Sequence, residues 1–146
     1  MDKIDATMAD RAAIGQTMAA FMNAWNLHDA RAFALTFTPD ADFTNVFGVH
    51  AQGRAGVESF HAPVFATIFR NSHLSGAIRS IRFLTPQLAA VDVDWQMTGA
   101  ESPGGDPVPL RTGLLAWIMQ RQSDGGWLIE VMHNTNLPSE STAPPE

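Results

Sequence analysis

The sequence has no cysteine and no tyrosine among its 146 residues, and its one lysine is Lys3. Without cysteine there is no disulfide framework, no thiolate nucleophile and no Cys-ligated zinc. Without tyrosine no phenol can serve as acid or oxyanion donor, so any acid–base work falls to His, Asp, Glu, Arg or Lys. Basic charge is scarce: nine Lys and Arg stand against fifteen Asp and Glu, a net charge of −6, and the arginines are scattered. A phosphate backbone needs clustered cations, so no nucleic-acid partner is expected. No run approaches the ~20 apolar residues of a membrane span, and the Met1–Asp5 start has no apolar leader core. The expectation is a cytoplasmic protein with no membrane partner. Phosphate-cradling glycine patterns are missing too, since Gly104-Gly105 and Gly125-Gly126 read as turns.

What is present is a folding composition, 45% hydrophobic and 16% charged, at a length suited to one core. The expected domain spans 7–137, and the polar tail Pro138–Glu146 is expected to be disordered. Ile14, Met18, Phe21, Met22 and Trp25 recur at helical spacing and predict a helix over Thr7–Leu27, with Thr7 and Asp10 as a capping box. Asp29 is placed as N-cap of a short helix carrying Phe33, Ala34 and Phe37, ended by Pro39. Alternation predicts a strand over Ala41–Phe47 with Phe43, Asn45 and Phe47 on one face, then a short strand at His50–Gln52. A third helix, Arg54–Phe69, carries Val57, Phe60, His61, Val64, Phe65 and Ile68 on one side, and Pro63 predicts a kink or break within it. The rest reads as strands at Ala77–Leu84, Leu88–Thr98, Leu110–Gln122 and Trp127–Asn136, with an irregular loop at 101–107.

Ser123-Asp124-Gly125-Gly126 is a tight-hairpin signal. With Asp124-Gly125 as a two-residue loop, Gln122 pairs with Trp127, Ile118 with Val131 and Ala116 with His133. One face then carries Leu114, Ala116, Ile118, Ile129, Val131, His133 and Thr135. The other carries Leu115, Trp117, Met119, Leu128, Met132 and Asn134, with Arg111 and Glu130 as cross-strand or rim charges. Both faces are apolar and need cover. Helices and a pocket are assigned to the first, and a homodimer partner to the second.

The order helix–helix–strand–helix–meander resembles the nuclear transport factor 2-like superfamily. Trp25-Asn26-Leu27-His28-Asp29 and Phe37-Thr38-Pro39-Asp40-Ala41-Asp42-Phe43 resemble the opening of SnoaL-like and ketosteroid-isomerase-like proteins. Phe43–Gly48, Gln52-Gly53-Arg54, His61-Ala62-Pro63 and His133-Asn134-Thr135 look like the SgcJ/EcaC-type subfamily. The resemblance implies an α+β, cystatin-like fold: a cone-shaped curved antiparallel sheet wrapped around three N-terminal helices. This superfold hosts many reactions and plain binders, so it implies no single activity. Where ketosteroid isomerases keep a carboxylate base, a tyrosine and a protonated aspartate, the aligned positions here are Asn45, Phe21 and Ile118 or a neighbour. That mechanism is therefore not expected.

The candidate site is the polar set Asn45, His61 and His133, converging on an apolar cup of Phe21, Trp25, Phe43, Phe47, Phe65, Val93, Trp95, Met97, Ile118 and Val131. Two imidazoles and an amide can bind and polarise a carbonyl or hydroxyl group. The expected ligand is a small apolar molecule of polyketide, steroid or terpenoid type, with no cofactor and no metal, since the five histidines form no ligand pair. Two readings stand beside each other: a histidine-based acid–base enzyme, and a non-catalytic module that binds such a ligand or simply dimerises. Each histidine also has a structural reading, His61 through carbonyls freed by Pro63 and His133 as a strand-end cap, and Asn45 has one as a bracket for the neighbouring loop.

Overall fold

The computed structural model describes residues 3–138, with side chains from Thr7 onward. The expected tail therefore lies, beyond Pro138, outside the described residues. Three helices, α1 (Lys3–Asn26), α2 (Ala30–Ala34) and α3 (Gly53–Ala66), pack on a six-stranded curved sheet. Its strands are β1 (Phe37–Thr44), β2 (His50–Gln52), β3 (His73–Thr85), β4 (Leu88–Thr98), β5 (Arg111–Arg121) and β6 (Trp127–Leu137), in spatial order β2-β1-β6-β5-β4-β3. The α+β class is as expected. One neighbouring pair, β1 with β6, is parallel, and the others are antiparallel.

The apolar stripe of α1 lies where its spacing put it: Ile14, Phe21, Met22 and Trp25 are buried. The helix starts at Lys3, so Thr7 sits inside it and the capping box does not form. Asp10 instead accepts hydrogen bonds from Trp127 Nε1 (3.0 Å) and Arg121 Nε (3.3 Å). The Trp25–Asp29 segment fastens helix to sheet. Trp25 Nε1 donates to Ser72 Oγ (2.9 Å). The Asn26 amide brackets Leu74, donating to its carbonyl (2.9 Å) and accepting from its N–H (2.7 Å). His28 takes a positive φ of 56° just past the helix. Asp29 caps α2 by accepting from the Ala32 N–H at 3.0 Å.

α2 stops at Ala34, well before Pro39, and Phe37 opens β1. Proline is tolerated there because β1 and β6 lose step between Phe37 and Asp42, leaving Pro39 outside the ladder. α3 runs through Pro63 and ends at Ala66, so the expected break is absent and the helix stops three residues short of the expected Phe69. The helix continues past the proline without the Pro63 N–H bond to the carbonyl of Ser59.

The β5–β6 hairpin departs from its expected register in two places. Gln122 N–H bonds Gly126 O (2.7 Å) and Gly125 takes φ 88°, so the loop is three residues, Ser123–Gly125, and Arg121 faces Trp127. A bulge at Glu130 then restores the expected pairs Ile118–Val131 and Ala116–His133. Before the bulge Ile129 lies on the helix side as expected, but on β5 and beyond the bulge the faces are the reverse of the expectation. Leu115, Trp117, Met119, Trp127, Ile129 and Met132 are buried on the helix side, whereas Ala116 and His133 are exposed on the open side. Antiparallel partners share a face, and Val91, Val93, Trp95 and Met97 stand opposite Trp117, Leu115, Gly113 and Arg111. The expected dimer surface of Leu115, Trp117, Met119 and Met132 is therefore core, and Arg111 is no outer rim charge.

Candidate functional site

Residues 57, 61 and 65 lie on one stripe of α3, whose aromatic rings meet Trp25 at the end of α1, Phe33 of α2 and Phe43 near the end of β1. His61 is 3% exposed. Its ring is surrounded by Phe33, Phe43, Phe60, Phe65 and Trp25 at centroid distances from 4.4 to 6.0 Å. Nδ1 lies 2.8 Å from Val57 O. A carbonyl only accepts, so Nδ1 carries the proton and Nε2 keeps a lone pair. Burial lowers the imidazole pKa to about 4, against a smaller upward push from the Val57 bond. At neutral pH the ring is uncharged. Nε2 has no partner among the described residues, where Trp117 Nε1 is the one sealed side-chain nitrogen or oxygen lacking a bond. Nε2 is therefore the atom His61 offers to the space beside it.

That space is a cavity of about 500 Å³ between α1, α3 and the sheet. Its inner wall is apolar, with Phe21, Trp25, Phe43, Phe60, Leu115 and Met132. Its mouth is formed by the β1–β2 turn, which holds Phe47 at 83% exposure, and by the β4–β5 loop with Glu101, Ser102 and Val108. The loop is irregular but tied back, Val108 N–H to Ala100 O and Ser102 N–H to Asp106 O, both 2.8 Å. A second depression of about 460 Å³ opens on the other sheet face near Gly76, Gln96 and Thr112, with no histidine in its wall.

The sheet wall of the cavity carries polar groups that the sequence reading did not assign to it. Trp95 Nε1 donates to Asn134 Oδ1 (2.8 Å), and Arg111 Nη2 donates to Asn136 Oδ1 (2.9 Å). The Arg111 guanidinium lies 5.4 Å from the centroid of a Trp95 ring. Gly113 makes this seat, because Trp95 occupies the space a methyl group would need there. Partial burial pushes the Arg111 pKa down. Pairing β4 with β5 would have revealed this wall, since Met97 and Trp95 were already placed inside and their partners are Arg111 and Gly113.

Of the expected site residues, His61, Asn45, Phe21, Trp25, Phe43, Phe47, Trp95 and Met97 line the cavity. Phe65 and Val93 are buried behind it in the core. His133, Ile118 and Val131 lie on the open sheet face, so the expected convergence of three polar groups reduces to two. Asn45 sits just past β1, not within it, and its Oδ1 accepts from the N–H groups of Phe47 (2.9 Å) and Val49 (2.8 Å). Its carbonyl thus holds the turn, and Nδ2 is left as a donor at the mouth. Among the described residues no group of three or more His, Asp or Glu can hold a metal ion, and no helix is long and apolar enough to cross a membrane.

A curved sheet around three helices, with a cavity between them, defines the nuclear transport factor 2-like class of α+β proteins. Within it the chain belongs to the SnoaL-like domain family, which matches residues 6–133. Among solved structures it is similar to an uncharacterised protein with a cystatin-like fold from Caulobacter vibrioides: 26% identity, 90% of this chain and 92% of that one, TM-score 0.80. A domain of unknown function from Nostoc punctiforme, also cystatin-like, has 29% identity over 91% and 80% of the two chains, TM-score 0.78. A ketosteroid isomerase-like protein from Erwinia carotovora atroseptica shares the fold at 15% identity, covering 88% and 96%, TM-score 0.72. No curated protein matches the sequence.

Proposed function

We propose that this chain binds one small, largely apolar molecule in the cavity between α3 and the sheet, with His61 Nε2 as the internal hydrogen-bond acceptor. The observation that carries the reading is the cavity itself: about 500 Å³, walled by aromatic and aliphatic side chains, with one unpartnered imidazole nitrogen beside it. Such a pocket is in the size range of small-molecule sites. Acid–base chemistry at His61 is the second reading, favoured by the fixed tautomer, which leaves Nε2 free to take a proton. Binding is the better supported of the two. The low pKa makes His61 a weak base, and the imidazole rests on a backbone carbonyl with no carboxylate behind it to stabilise an imidazolium.

Calorimetric titration with naphthalene-2-acetamide, a neutral aromatic probe, tests the binding reading. Saturable binding at one site is expected, abolished in Val64→Trp, which fills the cavity from α3. Binding that Val64→Trp leaves unchanged would overturn it. Native mass spectrometry of freshly purified protein then identifies any ligand carried from the cell.

The proposal extends to a homodimer and to the SgcJ/EcaC-type subgroup, whose motifs several segments resemble. The surface for self-association is the open sheet face, where Leu114, Ile118 and Val131 are half-buried within one chain. Light scattering is expected to give twice the chain mass, and Ile118→Asp to give the monomer. A monomer from the unmodified protein removes this part.

A further inference from the structure

We infer that the ligand of this cavity carries a carboxylate, bound by Arg111 at the mouth while its apolar body reaches inward to the aromatic wall. The inference rests on the binding reading above and adds the chemical class of the ligand. Four ion pairs occur among the described residues: His50–Asp42, Arg70–Glu101, Arg79–Asp94 and Arg121–Asp10. Arg111 belongs to none. It is nonetheless held in place, flanked by the Trp95 ring, Met97 Sδ and Asn136 Oδ1.

The charge of the cavity is also unbalanced. Its one carboxylate, Glu101, accepts from Arg70 Nε and Nη2 (3.1 Å each) and from Asn71 Nδ2 (3.3 Å), so it is already engaged. His61 is neutral. Arg111 is therefore the cavity's one cation without a counter-ion, and Asn45 Nδ2 is a further donor at the same mouth. A guanidinium offers a planar fork of N–H donors that matches a carboxylate, and partial desolvation strengthens that pairing. The indole under Arg111 and the asparagine beside it restrict its rotamers before any ligand arrives, which lowers the entropy cost of binding. The other half of the cavity has no charge to offer, so the remaining bulk of the ligand is apolar.

Calorimetry with a matched pair of probes, naphthalene-2-acetate and naphthalene-2-acetamide, tests this. The acid is expected to bind roughly tenfold or more tightly than the amide, as charge-assisted bonds exceed neutral ones. In Arg111→Gln, which keeps a donor toward Asn136, the preference is expected to fall to within about twofold. Arg111→Lys keeps charge without the fork and is expected to fall between the two. Equal affinity for acid and amide in the unmodified protein overturns the inference and leaves the binding reading standing. Failure of both probes to bind removes the binding reading and the inference together. Should Arg111→Gln melt below the assay temperature, the acid-to-amide ratio of the unmodified protein decides alone. An unchanged preference in a folded Arg111→Gln also overturns the assignment to Arg111.

Discussion

The two faces of the β5–β6 hairpin are built from nearly the same alphabet and end in opposite environments. On one face Leu115, Trp117, Met119, Trp127, Ile129 and Met132 are at most 3% exposed. On the other, Leu114, Ile118 and Val131 are half-buried, and Ala116 and His133 are exposed. Period-two alternation separates the two sets on β5, whereas on β6 the bulge at Glu130 puts Ile129 and Val131 on opposite faces. Alternation carries no information about which set meets the helices. The difference lies in bulk: both tryptophans of the hairpin are on the covered side, where an aromatic side chain removes the most apolar area from water.

Substitutions that differ only in face put that contrast under test. Trp117→Ala is expected to destabilise the fold by about 3–5 kcal/mol in chemical denaturation, whereas its neighbour Ile118→Ala costs about 1 kcal/mol in the isolated chain. Equal losses would mean that the open face is covered in solution. Trp117→Phe is expected to be much milder than Trp117→Ala, because it deletes an indole N–H that has no partner.

The next largest effect belongs to His61. Its folded pKa of about 4 lies below the unfolded value near 6.5. Between those values the unfolded chain binds more protons, so stability rises with pH across the window. The stability is complete above pH 6.5 and declines by about 3 kcal/mol as pH falls to 4. His61→Gln keeps a donor for Val57 O and is expected to flatten that part of the pH–stability curve. An unchanged slope in the variant would place the acid-sensitive group elsewhere. Gly113→Ala comes third: the methyl must displace both Trp95 and the Thr135 carbonyl, at roughly 1–3 kcal/mol, and should shift the tryptophan emission. His133→Ala, on the open face, is expected to stay within about 0.5 kcal/mol in thermal melts and to leave probe binding unchanged. Weakened binding there would restore His133 to the site.

Much of the fold was legible because each signal was local. Asp29 caps α2 as its side chain predicts, and β4 has the boundaries its alternation indicated. His61 was found because helical spacing ties it to Val57 and Phe65, which are buried in any arrangement that buries the helix. Arg111 was misplaced because the side of the sheet was chosen without pairing β5 with β4. His133 was tied by alternation to Ile129, and the bulge at Glu130, which alternation does not show, puts the two on opposite faces. Pro39 misled because proline as a helix stop is a strong local cue, and its place in an irregular stretch of β1 depends on β6. The wider Trp25–Asp29 motif was legible as a resemblance. Its physical content, an amide bracketing Leu74 and an indole bonding Ser72, depends on residues more than forty positions away.

The bulge at Glu130 acts as a crease. Both β5 and β1 lose step with β6 around Ile129 and Val131, so the sheet bends along one line, as bulged strands do. On one side of the crease Met119, Trp127 and Ile129 are buried and line no cavity. On the other side Leu115, Met132, Asn134 and Arg111 diverge around the cavity. One extra backbone residue thus partitions a single layer into a solid half and a hollow half. The capacity of the hollow half is then a property of strand register as well as of the side chains lining it, and the chain can vary its contents without disturbing the solid half that keeps it folded.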